Sequence, residues 1–227
     1  FQFMKRKHMP TFKELLSSEN DDISEQAQAK KGNWKGGLEF IRNFSPFTIN
    51  TDYNFQSTIN VKDLGELLLY KHKTNNAYVA GIFLDVLEKT KTGDKEVQQF
   101  KAVFSISFNP ITLKHYKNCV VVKGVSVVDD ETYQKSGISL TMYKYFVKKL
   151  KYTIVGDGEQ YFGARKLWAK LSKQVDVEVD LYNIETDTLI EENVILHHGN
   201  YNNDFDKRLW SFSKEKINIR SILKDIL

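Results

Sequence analysis

Residues 119–128 read Cys-Val-Val-Val-Lys-Gly-Val-Ser-Val-Val, and residues 139–150 read Ser-Leu-Thr-Met-Tyr-Lys-Tyr-Phe-Val-Lys-Lys-Leu. The first stretch is dense in β-branched residues and reads as a buried strand. The second places Leu140, Tyr143, Val147 and Leu150 at helical spacing with lysines opposite, so it reads as an amphipathic helix. A strand that hands over to a helix within a dozen residues sets the fold class, and the neighbours agree with it. Upstream, Glu66–Tyr70 is a short apolar run. Ala77–Leu87 and Phe100–Phe108 flank the turn-like Lys91-Thr92-Gly93-Asp94 and read as a hairpin. Downstream, Tyr152–Val155 is a short strand, Ala164–Leu171 a second amphipathic helix, and Val175–Tyr182 with Thr188–His197 a hairpin turned at Glu185-Thr186-Asp187. The tail, with Trp210, predicts a last apolar helix near 219–227. The expected fold is α/β (α+β) around one mixed sheet.

The 227 residues suffice for one globular domain, and the 13% aromatic content argues against wholesale disorder. Residues 1–37 predict a polar, partly mobile lead-in that opens with a short helix capped at Thr11-x-x-Glu14 and carries Trp34. Residues 38–198 predict the domain, and 199–227 an extension packed on it. The chain opens on Phe1, so Met4 and Met9 are both candidate native starts. Cys119 is the single cysteine, which excludes a disulfide framework or a cysteine zinc cluster and fits a reducing, cytoplasmic compartment. No apolar run approaches the ~20 residues needed to span a bilayer, so no membrane is expected. Thirty-three basic against 29 acidic side chains leave +4, too mild to demand nucleic acid.

The chemistry concentrates between the strand and the helix, in Val127-Val128-Asp129-Asp130-Glu131-Thr132-Tyr133-Gln134-Lys135-Ser136-Gly137-Ile138-Ser139. Backbone N–H groups at a helix start lack intrahelical partners and, with the helix dipole, suit a phosphate or pyrophosphate. Gly137 allows close approach of the backbone, and Lys135 adds charge. The competing reading of the same residues is an ordinary strand–loop–helix connection.

Gln134-x-x-Gly137-x-Ser139 resembles the Arg/Gln-x-x-Gly-x-Gly/Ala pyrophosphate loop of the GCN5-related N-acetyltransferase (GNAT) superfamily. Ala164-Arg165-Lys166-Leu167-Trp168-Ala169-Lys170-Leu171 resembles that family's later Ala-x-x-Leu-Tyr-x-Lys-Leu helix, and the strand order over 64–198 is similar. The resemblance implies a GNAT-like, mostly antiparallel sheet with helices on both faces and acetyl-CoA lying across splayed fourth and fifth strands. It implies main-chain contacts from Val127 and Val128 to the pantetheine arm. Gln134, Lys135, Ser136, Gly137, Ile138 and Ser139 would wrap the pyrophosphate. The implied activity is direct acyl transfer from acetyl-CoA to an amine on a protein, small molecule, aminoacyl-tRNA or nucleobase.

Three positions depart from the family pattern. Its thiolate-protonating tyrosine falls at Trp168, whose indole cannot act as the acid. A base glutamate found in some members falls at Lys123, and Ser139 replaces the last Gly or Ala. These departures leave the catalytic residues unassigned and favour a rival: a binding or structural protein that keeps the fold without catalysis. A nucleic-acid-directed member is the third reading, on the lysine faces Lys144, Lys148, Lys149, Lys151 and Lys166, Lys170, Lys173. Met9-Pro10-Thr11-Phe12-Lys13-Glu14-Leu15 resembles the opening of many large tailed-phage proteins, which implies a phage source and the host cytoplasm.

Remaining motifs read as structure. His197-His198 ends a strand and offers a base only if it meets the acceptor. Asp129-Asp130-Glu131 reads as a solvated loop, since sequential carboxylates point apart, and no metal is expected. Gly158-x-x-x-x-Gly163 lacks the Lys-Ser/Thr of a P-loop, and Tyr161 reads as an exposed ring at a helix start.

Overall fold

A computed structural model describes residues 43–91, 93–128, 130–157, 162–197 and 219–226. The Thr11–Glu14 cap, Trp34, Asp129, Gly158, Tyr161, His198 and Trp210 lie outside the described residues.

The alternating first half folds as a meander: β1 (Asn43–Phe44), then β2 (Tyr53–Val61), β3 (Gly65–His72), β4 (Ala77–Thr90) and β5 (Gly93–Pro110). A short helix α1 (Pro46–Asp52) precedes β2. Ser45 caps it by accepting the Thr48 N–H at 3.0 Å, and Pro46 sits in the first turn, where its missing N–H costs nothing. β2 to β5 pair antiparallel in sequence, and β6 (Cys119–Val127) adds to β5. The period then changes through α2 (Glu131–Lys135), α3 (Ile138–Lys148), β7 (Thr153–Val155), α4 (Phe162–Leu171), β8 (Val177–Asn183), β9 (Thr188–Glu191) and β10 (Ile219–Asp225). Among the described residues the sheet order is β2-β3-β4-β5-β6-β7-β10-β8-β9, with β1 on β5. β6–β7 is the one parallel pair among them. The mixed, mostly antiparallel sheet is therefore present, with strand content well above helix content.

The helix expected near 219–227 is corrected: Ile219–Asp225 form the strand β10. Ile219, Ile222, Leu223 and Ile226 have helical spacing, but open edges on both β7 and β8 claim this segment. A strand flanked on both sides buries both faces, and Ser221, Ile222 and Leu223 are consecutive buried residues. The strand expected over 188–197 ends at Glu191. β1, α1 and β2 carry no clear sequence signal.

Alternation divides the core between the two faces. Tyr78 and Ala80 on β4 and Phe104, Ile106 and Phe108 on β5 join α3 (Ile138, Met142, Phe146) and α4 (Trp168, Leu171) in the main cluster. Phe146 meets Tyr78 and Phe108 edge-on at 4.9 and 5.2 Å, and its truncation costs about 3–5 kcal/mol. Val79, Phe100 and Ala102 point the other way, to Phe44, Ile49 of α1, Tyr53 and Tyr70. Beyond Leu84↔Gln99 the β4–β5 hairpin extends as a two-stranded arm, braced by the opposite-charge pairs Glu88↔Lys95 and Lys89↔Asp94.

Candidate functional site

β6 and β7 run side by side for only three register pairs, Cys119↔Thr153, Val120↔Ile154 and Val121↔Val155. Just past β7 the Gly156 N–H turns to the Ser221 carbonyl of β10 at 2.8 Å. β6 continues to Val127, and among the described residues no strand pairs with it on that side. A gap thus opens in the middle of the sheet.

The β5–β6 ladder determines which main-chain groups face this gap. The Val128 N–H donates to the Val103 carbonyl at 3.0 Å, so Val103–Val128 and Ser105–Ser126 are the hydrogen-bonded pairs. Val125 and Val127 occupy the intervening positions and direct N–H and C=O away from β5, into the gap. At the other end the Ile111 N–H bonds the Cys119 carbonyl at 3.0 Å, which by the same alternation turns Val122 toward β7, where the Val121↔Val155 pairing engages its N–H with the Val155 carbonyl. A bulge at Lys123, where Ser107 faces Gly124 and Phe108 faces Val122, sets the spacing between them.

Val128, expected to share this disposition, does not. Its N–H is held by Val103, and its carbonyl accepts the Asp130 N–H at 2.8 Å. Val125 takes its place beside Val127. Sequence reasoning missed it because register, not residue type, decides which way a strand's amides point.

The gap leads to the start of α3. Asp130 is extended and accepts the Thr132 N–H at 2.9 Å, capping α2. Gln134 and Lys135 therefore lie in a helical turn rather than an open loop. The Gln134 N–H goes to the Asp130 carbonyl at 3.0 Å, and Lys135 pairs with Glu131 at 2.7 Å. Ser136 Oγ donates to the Tyr133 carbonyl at 2.6 Å and accepts the Ile138 N–H at 3.3 Å. Gly137 holds φ +76°, a left-handed conformation natural to glycine, and caps α3 without a side-chain bond. The ladder begins with Thr141 N–H to the Gly137 carbonyl at 3.0 Å, so the N–H groups of Ser139 and Leu140 have no intrahelical acceptor. The Ile138 side chain is buried in the main cluster. Of the expected wrap, Gly137 and Ser139 sit where backbone can meet an anion. Gln134, Lys135 and Ser136 offer side chains at most.

Lys101 of β5 brings a further cation to this end, with Nζ 5.1 Å from the Tyr133 ring centroid. The lysines of α3 are otherwise engaged: Lys144 and Lys148 pair with Asp176 at 2.8 and 3.3 Å; beyond the helix, Lys151 pairs with Asp225 at 2.8 Å. Burial alone would raise the Asp176 carboxyl, but the bonds from Lys144 and Lys148 outweigh it and hold it below its ordinary range.

Trp168 is 2% exposed and meets Tyr143 edge-on at 6.1 Å, as a core residue does. Lys123 is exposed on the bulge. Cys119 is buried, which pushes its thiol up to about 11 and makes it a poor nucleophile at neutral pH. His197 is half-buried beyond β9. Among the described residues no cluster of His, Cys, Asp and Glu is arranged to hold a metal, and no helix is long and apolar enough to cross a membrane. No protein-family model matches the sequence, and neither a curated protein nor a solved structure matches the chain.

Proposed function

We propose that this protein is an acyl-CoA-dependent N-acyltransferase of GNAT type, with helices on both faces of its sheet, transferring acetyl from acetyl-CoA to an amine. The observation that carries the reading is the free inner edge of β6, with the amides of Val125 and Val127 facing a gap that ends at the bare N–H groups of α3. A pantetheine arm is an extended chain with two amides and binds such an edge as an added strand does. Its pyrophosphate then meets Ser139 and Leu140 N–H at the positive end of the α3 dipole, with Lys101 and Lys135 nearby.

The amine nitrogen attacks the thioester carbonyl, the C–S bond breaks, and sulfur leaves as thiolate. Trp168 and Lys123 supply neither acid nor base, so the nitrogen sheds its proton to solvent, the thiolate takes one from it, and rate enhancement comes from holding the reactants together. The same two positions favour a second reading, a protein that binds acyl-CoA, or an extended peptide on the same edge, without turnover. The nucleic-acid reading loses support from the pairing of Lys144 and Lys148 with Asp176.

Calorimetry with acetyl-CoA tests the reading on the native chain, Gly137→Asp and Gly137→Asn. Asn and Asp are the side chains that best tolerate a left-handed backbone, so the two variants share their strain and differ in charge. The expectation is micromolar binding, weakened about tenfold or more by Asp and little by Asn, because only the carboxylate repels pyrophosphate. No heat with the native chain sinks the acyltransferase reading.

A further inference from the structure

Past Gly81, β4 leaves β3 behind. The β3–β4 register ends at Leu68↔Gly81, while the β4–β5 register runs on to Thr90↔Gly93. Among the described residues, 82–90 therefore have a strand on one side only. A two-stranded ribbon is marginally stable in water, and an open strand edge is a template for another chain. This edge is accessible. Leu84 is 38% and Leu87 72% exposed, and Asp85, Glu88, Lys89 and Thr90 are exposed with them.

The ladder tells which main-chain groups this edge presents. The Phe108 N–H bonds the Asn76 carbonyl at 3.0 Å, so by alternation Tyr78 and Ala80 bond β5, while Val79 and Gly81 bond β3. The extra residue of the bulge, Val103, lies on β5, which leaves the phase along β4 unbroken. Phe83, Asp85, Leu87 and Lys89 therefore aim N–H and C=O at the open side. The arm's other edge, on β5, carries Asp94 and Glu96 on one face and Lys95 on the opposite one. Directly opposed residues of an antiparallel pair share a face, so two copies of that edge never bring opposite charges together. On β4, Asp85 and Lys89 share a face.

We infer that the β4 edge of the arm is a docking surface for a second copy of this chain, paired antiparallel about a two-fold axis at Leu87. That register sets the two Leu87 side chains together at the centre and each Asp85 opposite Lys89 of the other copy, twice by symmetry. Moving the axis to Asp85, Glu88 or Lys89 sets like charges face to face, and moving it to Val86 leaves Asp85 opposite a leucine. The two arms then form one four-stranded sheet with an apolar centre. The contact is isologous and closed, so assembly stops at the dimer. The pairing is independent of what the gap beside β6 binds.

Sedimentation over a range of concentrations tests this on the full chain, on Asp85→Lys, on Lys89→Asp and on an equimolar mixture of the two variants. The native chain is expected to show a monomer–dimer equilibrium. Each variant alone turns both cross-copy pairs repulsive and weakens the dimer about tenfold or more. Both side chains are exposed, so urea unfolding is expected to show a folded chain in each variant. Mixed, the variants again oppose unlike charges at both positions and form a heterodimer of about native affinity. A native chain that stays monomeric at every concentration, or that grows beyond the dimer, overturns the inference. So do variants that dimerise as the native chain does, and a mixture that associates no better than its components.

Discussion

A methyl group at Gly81 would sit 2.0 Å from the Lys101 carbonyl oxygen, closer than any real contact. The cause is the β4–β5 bulge, where Ala80 faces Phe104 and Gly81 faces Ala102, leaving Val103 unpaired and pressing one backbone onto the other. Gly65 and Gly93 are glycines for a different reason, positive φ at turns, with open space around an added Cβ. Gly81→Ala is therefore expected to cost about 3 kcal/mol or more, as overpacking against backbone does. Gly65→Ala should cost only about 1 kcal/mol, the strain of a left-handed residue. Urea midpoints of the two variants check the order, and equal losses would refute it. Little of this is visible in the residues themselves. Ala77–Leu87 reads correctly as a strand, but nothing in it marks the bulge. Trp168 shows the reverse: its identity is plain, and only packing assigns it to the core.

Elements were legible where a single period runs unbroken. The 77–108 hairpin, the Val-rich strand β6, α3, α4 and β8 follow from alternation or helical spacing. The lysine face of α3 was also legible, but its counter-ion was not, because Asp176 lies 28 residues beyond Lys148. That pairing predicts a pH dependence. A carboxyl held below its unfolded value stabilises the fold while it is ionised. The contribution is complete above the unfolded value of about 4 and fades as pH falls through the lower folded value. Asp176 is partly exposed, so its share is about 1 kcal/mol or less. Asp176→Asn should lower stability at pH 6 by that amount and leave it unchanged near pH 2. Urea unfolding at both pH values measures this, and an equal deficit at both would assign the loss to packing. The candidate site was legible to the same degree. Its place at the β6–α3 junction could be read from the change of period, but the Asp130 cap that winds Gln134 into α2 and the register that aims Val125 emerge only from the fold.

Across the whole molecule the sheet is closed by its last strand, which sequence spacing misassigns. β10 pairs with β8 from Ile219↔Asn183 to Asp225↔Val177 and with β7 at Ile222↔Val155 and Leu223↔Ile154. It joins the meander half to the C-terminal hairpin and forms the far wall of the gap. Its Lys224 also neutralises Asp180, a fully buried carboxylate that accepts the Tyr116 hydroxyl at 2.7 Å and the Asn193 N–H at 3.0 Å. A chain ending at residue 218 would bare the edges of β7 and β8 and strand a buried charge, the latter alone worth about 3–5 kcal/mol. Added to the lost burial of Ile222 and Leu223, this exceeds what a domain with about 5–15 kcal/mol of stability withstands. The truncated chain is expected to show no cooperative thermal transition, and Ile222→Ala to keep one at a cost of about 2–5 kcal/mol. A synthetic peptide of residues 219–227 added to the truncated chain should restore the transition in proportion to its concentration, because the missing part is a strand with its slot already defined. A truncated chain that melts like the full one would instead make these residues an appendage and leave the β7 wall of the gap standing without them.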